Sequence, residues 1–192
     1  MFIDFLTVLM INLAAGTALL AYFVLKGIPA EDNKAFAAGF GIVGLIAFLG
    51  GAYMSISWPL PGSYNIAFGE STLLFGAVFL GAAFTLAKGW DLLPVSIYAF
   101  FAGIEALLVG IRIIDLGLTK SPLISGLGFI LAGLGGIAAA PGLNLLKKNQ
   151  TFRYIAAGVL MVISLFWAFT FYNSLWGHLE SFSSWVPLTM SK

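Results

Sequence analysis

The sequence predicts an all-α protein that crosses a lipid bilayer six times. Hydrophobic residues make up 60% of the 192-residue chain and charged residues only 9%, whereas soluble domains carry about 25% charged residues. The mean hydropathy is +1.02. About 20 consecutive apolar residues cross a bilayer core, and six segments meet this requirement. They cover residues 3–25, 35–57, 69–87, 93–117, 122–146 and 154–177. We therefore expect a single polytopic transmembrane domain over residues 1–192.

The first two spans are bounded by charged residues. Asp4 is the only early charge, so the first span lacks the basic segment that opens a signal peptide and is expected to remain in the protein. The second span follows Lys34 and contains the glycine-rich run GFGIVGLIAFLGG over residues 39–51. Small side chains of this kind allow close helix approach in lipid.

The third and fourth spans form a hairpin. Pro59 and Pro61 exclude a regular helix just before the third span. The third span then ends at the polar turn of residues 88–91, and the fourth span carries Glu105 about twelve residues inside. A hairpin with an acid at membrane depth indicates a route for a polar solute.

The fifth span repeats small residues every four positions, and the sixth is aromatic. The small residues are Gly128, Ala132, Gly136 and Ala140. They favour tight helix packing or, alternatively, an open lumen. The aromatic residues are Phe166, Trp167, Phe169, Phe171 and Tyr172, which we expect to face lipid or to pack. Glycine-rich spans two and five are three spans apart, which suits a 3+3 inverted repeat.

Positive charges predict the orientation. Six lie in the loops after spans one, three and five, namely Lys26, Lys34, Lys88, Lys147, Lys148 and Arg153. Three lie on the opposite side, namely Arg112, Lys120 and Lys192. By the positive-inside rule, the odd-numbered loops face the cytoplasm. We therefore expect a multi-pass protein of the cytoplasmic membrane with both termini outside.

Four ionisable residues lie at or near membrane depth, where they usually face a cavity or a partner. Glu105 is either a pore-lining or protonatable group, or a structural acid bonded to a neighbouring helix. Glu70 opens the third span and suits a first-turn acid stabilised by the helix dipole. Arg112 and Asp115 are three residues apart and can pair on one helix face, or line a vestibule.

Several function classes are excluded by composition. The chain has no cysteine, a single histidine (His178) and a net charge of +1. These counts argue against disulfides, a multi-ligand metal site, a cofactor and a basic nucleic-acid surface. No Ser/His/Asp set or glycine-rich phosphate loop occurs in a suitable context, so we do not expect an enzyme.

The hairpin also carries a family resemblance. It fills the pattern LLFG-x3-L-x-AA-x5-G-x-D-x2-P-x-S-x-Y-x2-F-x2-I from Leu73 to Ile104. In this segment the chain resembles the AmiS/UreI family of urea and short-chain amide channels. The whole chain also resembles a group of small six-helix prokaryotic membrane proteins with no assigned activity.

The resemblance implies a six-helix protomer with its own narrow pore, assembled into a hexameric ring. It implies that Phe75 and Phe79 on the third helix pinch the pore. The family's fifth-helix filter positions fall near Gly133 and Ile137 of this chain. Glu105 stands where the family has an amide, so this chain places an acid near the lumen.

The favoured function is a channel or facilitator for a small polar solute. The solute would be urea, an amide or another small neutral molecule, and Phe75, Phe79 and Glu105 would set width and polarity. One alternative is a structural or accessory subunit of a membrane complex. Another is a proton-coupled carrier that uses Glu70 and Glu105.

Overall fold

Six helices joined by short connections form the protein, and the computed structural model describes residues 6–185. They are α1 (Leu6–Gly27), α2 (Phe36–Ser57), α3 (Asn65–Lys88), α4 (Leu93–Leu116), α5 (Pro122–Lys148) and α6 (Gln150–Ser181). All six are long and apolar enough to cross a membrane, and residues 6–185 contain no strand. The predicted six-helix, all-α membrane class is confirmed. Asp4, Lys192 and the predicted start of the first span lie outside the described residues.

The helices close into a ring. Each helix packs against its neighbours in the chain, and α6 packs back against α1. Short connections make neighbouring helices antiparallel. We call the end where α1 begins and α6 ends the terminal end, and the opposite end, which carries residues 28–35, 89–92 and Asn149, the basic end. A side chain that reaches a helix two places away in this ring must cross the interior.

Three helix pairs are in especially close contact, α2 with α3, α4 with α5 and α1 with α6. Glycine makes the first two contacts close. A Cβ atom built on Gly76 of α3 would lie 2.3 Å from the backbone nitrogen of Phe48 on α2. A Cβ built on Gly103 of α4 would lie 2.6 Å from the carbonyl oxygen of Gly133 on α5. Backbones therefore touch directly, as expected where lipid offers helices no hydrophobic reason to associate.

The short turns depend on glycine at helix ends. Gly89 (φ 69°) ends α3 and Gly117 (φ 61°) ends α4, both in the left-handed conformation that glycine adopts without strain. The next residues complete the cap, because the Trp90 and Leu118 amides donate to the carbonyls of Thr85 and Ile113. Both helices end at the residue before the glycine. Only residues 89–92 then separate α3 from α4, and only residues 117–121 separate α4 from α5, so each pair is antiparallel.

The first six residues of α3, Asn65–Glu70, form a π-helical segment. The buried Asn65 side chain accepts a 2.9 Å hydrogen bond from the Leu60 amide and donates to the Gly62 carbonyl, 3.2 Å away. The Asn65 side chain thus supplies hydrogen-bond partners for backbone groups of the preceding loop. As a result, α3 begins four residues before the predicted position 69. Glu70 is therefore exposed in the second turn and not in the first, where a dipole effect was expected.

Candidate functional site

Two aromatic side chains of α3 cross the interior toward the basic end. Phe79 is 4% exposed, and its ring centroid lies 4.3 Å from that of Phe75. A Cβ built on Gly16 of α1 would lie 2.9 Å from Phe75 and 3.3 Å from Phe79. Since α2 stands between α1 and α3 in the ring, these rings reach across the interior. The Phe79 ring also stacks on Phe40 of α2 at 5.1 Å. We call Phe75 and Phe79 the basic-end layer.

A second aromatic layer crosses the interior nearer the terminal end. The ring of Phe68 on α3 lies 5.7 Å from that of Phe129 on α5, and Phe129 lies 5.7 Å from Trp167 on α6. Because α4 separates α3 from α5 in the ring, the Phe68–Phe129 contact also spans the interior. Phe68, Phe129 and Trp167 form the terminal-end layer, which packs with Ala14 and Ile113.

Glu105 and Ser71 lie between the two layers. The Ser71 hydroxyl on α3 donates a 2.8 Å hydrogen bond to Glu105 Oε1 on α4. Ser71 is four residues before Phe75 in the α-helical part of α3, so it shares the face that carries the basic-end layer, and it is three residues after Phe68 in the chain. Glu105 is one turn from Val109, which packs against the terminal-end layer. The half-buried acid thus lies at the edge of the interior.

Two buried polar atoms have no hydrogen-bond partner within residues 6–185, Glu105 Oε2 and Trp167 Nε1. One is an acceptor and the other is a donor. Leaving such a group unpaired costs about 1–3 kcal/mol, so these two atoms stand out among the buried polar atoms of the described residues. Sequence reasoning did not single out Trp167, because it is one of five aromatic residues close together in the sixth span.

Other buried polar side chains of the bundle are bonded to main-chain carbonyls. Asn12 Nδ2 on α1 donates to the Val43 carbonyl at 2.9 Å. Ser164 Oγ on α6 donates to the Ala14 carbonyl at 2.7 Å. Thr17 Oγ1 donates to the Leu13 carbonyl of its own helix at 2.9 Å. The Asn12 and Ser164 hydrogen bonds fasten α1 to α2 and α6. None of the three residues was predicted as a site residue.

The predicted fifth-helix residues lie in a helix interface. Gly133 is buried, and a Cβ built on it would lie 2.6 Å from the Leu107 backbone nitrogen. The backbone nitrogen of Ile137 lies 2.6 Å from a Cβ built on Gly103. The volume that the glycines leave at this contact is taken up by the α4 backbone, so packing and not an open lumen explains it. The structure does not bring Gly133 together with Phe75 or Glu105 in any described contact.

The remaining predicted charges lie on the surface. Arg112 and Asp115 form an exposed ion pair on α4. Glu70 is also exposed, while Glu105 lies between the aromatic layers. No cluster of three or more metal-ligating side chains occurs among residues 6–185.

At the basic end, Asp91 joins the α3–α4 turn to the end of α5. Its Oδ1 accepts from the Leu93 amide at 2.7 Å, and its Oδ2 accepts from Lys147 Nζ at 3.1 Å. The Leu93 hydrogen bond first, and then the Lys147 ammonium, hold the pKa of Asp91 below its ordinary value of 3.8. Both groups of the ion pair are largely exposed, so the pair contributes at most about 1 kcal/mol.

Substitution of Asp91 is expected to destabilise the protein in a pH-dependent way. Asp91→Ala should lower the free energy of unfolding by about 1 kcal/mol, because the hydrogen bond from the first amide of α4 and an exposed ion pair are lost together. Since the pKa is lowered by folding, this contribution is fully present above pH 3.8 and declines as the pH falls below it. Denaturant unfolding in detergent at pH 7 and pH 3 measures the difference. Asp91→Asn, which keeps an acceptor for Leu93, should cost less, and an Ala effect independent of pH would contradict the assignment.

Comparison with known proteins adds three findings. The model of the family described as "Protein of unknown function (DUF981)" matches residues 1–181. Among solved structures, the chain is similar to the Helicobacter pylori urea channel in its closed state, determined by cryo-EM. The TM-score is 0.68 at 20% sequence identity, and the match covers 94% of this chain and 100% of that chain. No curated protein sequence matches the chain. The predicted resemblance to the AmiS/UreI family is therefore confirmed at the level of the fold.

Proposed function

The chain belongs to the family described as "Protein of unknown function (DUF981)", and we propose that it is a membrane channel for a small polar solute with one conduction path in each protomer. One observation carries the proposal. Aromatic side chains of α3 cross the interior of a six-helix ring at two levels, and a serine-bound carboxyl group lies between them. The likeness of the fold to a urea channel supports the same class of function.

The geometry suits passive, single-file movement. Phe75 and Phe79 close the interior toward the basic end, and Phe68, Phe129 and Trp167 close it toward the terminal end. Rotation of these rings opens a path for a molecule of a few heavy atoms, whereas a hydrated ion must shed water against apolar walls. Glu105 and Ser71 then replace part of the solute's lost hydration between the layers.

The solute class follows from these walls. A small neutral molecule loses less hydration energy than an ion does when it passes the phenylalanine rings. If the molecule is polar, it regains hydrogen bonds at Glu105. Urea, short amides and molecules of similar size and polarity fit this description. We propose Phe75 and Phe79 as the residues that set the width of the path and Glu105 as the residue that sets its polarity.

Orientation and assembly complete the proposal. Lys26, Lys34, Lys88 and Lys147 lie in or next to the basic end, which we infer faces the cytoplasm. Both termini then lie outside the cell membrane. We also propose a homo-oligomer, with six copies as the number that the family resemblance suggests. The path lies within one protomer, so it does not require the oligomer to be complete.

Solute flux in proteoliposomes tests the proposed function. Vesicles containing the purified full-length protein are mixed with hyperosmotic urea, acetamide or glycerol, and light scattering records shrinkage and re-swelling. We expect re-swelling several-fold faster than in empty vesicles for at least one of these solutes. Flux equal to that of empty vesicles for all three would refute the channel, and a stoichiometric foreign subunit in native purifications would favour the accessory role.

A further inference from the structure

Backbone contact holds α2 and α3 together at successive levels of the membrane span. A Cβ atom built on Gly51 of α2 would lie 2.3 Å from the backbone nitrogen of Leu73 on α3. One built on Gly44 would lie 2.6 Å from the backbone nitrogen of Leu80, and the contact at Gly76 lies between these two levels. Backbone atoms cannot rotate aside as the ends of side chains can, so the two helices move together. We call them the α2–α3 unit.

The α4 and α5 helices are joined in the same way. A Cβ built on Gly110 of α4 would lie 2.6 Å from the carbonyl oxygen of Gly126 on α5. One built on Gly136 of α5 would lie 2.8 Å from the carbonyl oxygen of Ala99 on α4, and the contact at Gly103 lies between them. We call these helices the α4–α5 unit.

The boundaries of the two units are formed by side chains. Where α3 meets α4, a Cβ built on Gly81 would lie 3.5 Å from a methyl group of Val95, which is an ordinary van der Waals distance. A Cβ built on Gly39 of α2 would meet side-chain atoms of α1, and one built on Gly128 of α5 would meet side-chain atoms of α6. Side chains can change rotamer, so the units can shift against their neighbours while each keeps its own internal packing.

The chain joins the two units at the basic end, through residues 89–92. The Trp90 amide donates to an α3 carbonyl and is therefore fixed to the α2–α3 unit. Asp91 accepts from the Leu93 amide and from Lys147, and is therefore fixed to the α4–α5 unit. The backbone between Trp90 and Asp91, which we call the basic-end joint, is left to absorb a rotation. At the terminal end α3 continues from α2, and α4 continues into α5, so the units can separate furthest there.

The terminal-end layer bridges the two units. Phe68 belongs to the α2–α3 unit and Phe129 to the α4–α5 unit, and their rings lie 5.7 Å apart. Phe68 lies about 30 Å along α3 from the basic-end joint, so a rotation of about 8° there displaces it by about 4 Å. That displacement equals the van der Waals thickness of a small planar molecule, about 4 Å. A small rotation is therefore enough to open this layer.

We propose that the α2–α3 and α4–α5 units rotate as rigid bodies about the basic-end joint, and that their separation at the terminal end opens the terminal-end layer. This inference rests on the proposed channel function and deepens it, because it assigns the movement that regulates the path. Two hydrogen bonds hold the units closed. The Ser71 hydroxyl donates to Glu105, and the Tyr64 hydroxyl donates to the Leu118 carbonyl in the α4–α5 connection.

Distances between spin labels test the movement. The chain has no native cysteine, so pairs of introduced cysteines carry the labels in the full-length protein, diluted with unlabelled protein. Ile56 of α2 and Leu123 of α5 are exposed at the terminal end of different units. We expect double electron–electron resonance to give two distances for this pair, the second about 4 Å longer than the first. The controls within each unit pair Ile56 with exposed Phe84, and Leu123 with exposed Leu93, and should each give one narrow distance.

Removal of one hydrogen bond between the units should shift the balance of the two distances. Ser71→Ala is expected to raise the ratio of the longer to the shorter distance about fivefold, the factor that the loss of one hydrogen bond of ordinary strength produces. The matched control is Ser55→Ala, because the Ser55 hydroxyl donates to the Gly51 carbonyl of its own helix at 2.9 Å. Equal broadening of all three label pairs, or equal ratios in the two serine variants, would overturn the proposal.

The same labels separate failure of the movement from failure of the channel. Two distances for the Ile56–Leu123 pair without solute flux in the unmodified protein would reject the channel and keep the movement. Flux in a protein with a single, fixed Ile56–Leu123 distance would reject the movement and keep the channel.

Discussion

Replacing Phe75 with alanine is expected to raise acetamide flux about tenfold and to admit glycerol more readily than the unmodified protein does. The ring lies 4.3 Å from that of Phe79 and reaches α1 across the interior. Its removal widens the basic-end layer, and a tenfold rise corresponds to about 1.4 kcal/mol taken off the barrier. Stopped-flow light scattering of proteoliposomes measures both solutes.

The control for this variant lies on the same helix. Phe84 is 55% exposed, and its ring packs against Trp90 near the surface, so Phe84→Ala should leave flux unchanged. Loss of a buried phenylalanine ring also costs stability, about 3–5 kcal/mol in well-packed cores. Circular dichroism and size-exclusion profiles therefore accompany the flux measurement. A folded Phe75→Ala protein with unchanged flux and unchanged solute preference would remove Phe75 from the path.

The second large effect is expected at the α2–α3 contact. Gly76→Ala should lower the free energy of unfolding by about 2–3 kcal/mol, because the new methyl group would lie 2.3 Å from the Phe48 backbone nitrogen. Backbone cannot move aside as a flexible side chain can, so the two helices must separate. Unfolding followed by circular dichroism in detergent micelles measures the loss.

Gly135 provides the matched control for Gly76. It is also in a membrane-spanning helix, but a Cβ built on it meets nothing within 4 Å among residues 6–185. Gly135→Ala should be neutral or slightly stabilising, since alanine is the better helix former. Equal stability of the two variants would show that close backbone contact does not limit this bundle.

Hydropathy was sufficient to predict the fold class. Spans of about 20 apolar residues and short polar connections leave few arrangements other than a bundle of antiparallel helices. Helix ends were harder to predict. The start of α3 at Asn65 depends on side-chain hydrogen bonds to Leu60 and Gly62 in the preceding loop, and hydropathy does not record them.

The candidate site was predictable only in part. Phe75, Phe79 and Glu105 stand out in the hairpin, and the structure places all three at the interior or its edge. Trp167 did not stand out, because its position in the interior is set by Phe129 and Gly128 of another helix. The polar Ser164 one turn earlier marks the same face of α6 and is the sequence signal that could have identified it.

The fifth helix shows the opposite problem. A glycine such as Gly133 in a membrane helix has two structural explanations. It either allows a neighbouring helix to approach closely, or it leaves space in a lumen. Spacing alone does not separate them. The contact with Gly103 and Leu107 does, because the α4 backbone fills the space that the absent side chain leaves.

Cysteine chemistry tests the central claim, that solute crosses the interior of a single protomer past Phe75, most directly. The chain has no native cysteine, so a Phe75→Cys variant carries one reactive thiol. Flux is measured before and after modification with a cationic methanethiosulfonate reagent, with labelling quantified by mass spectrometry and Phe84→Cys as the exposed control. We predict that modification at position 75 reduces acetamide flux to that of empty vesicles, that a reductant restores it, and that modification at position 84 has no effect. Unchanged flux in fully labelled Phe75→Cys protein would contradict a path through the interior.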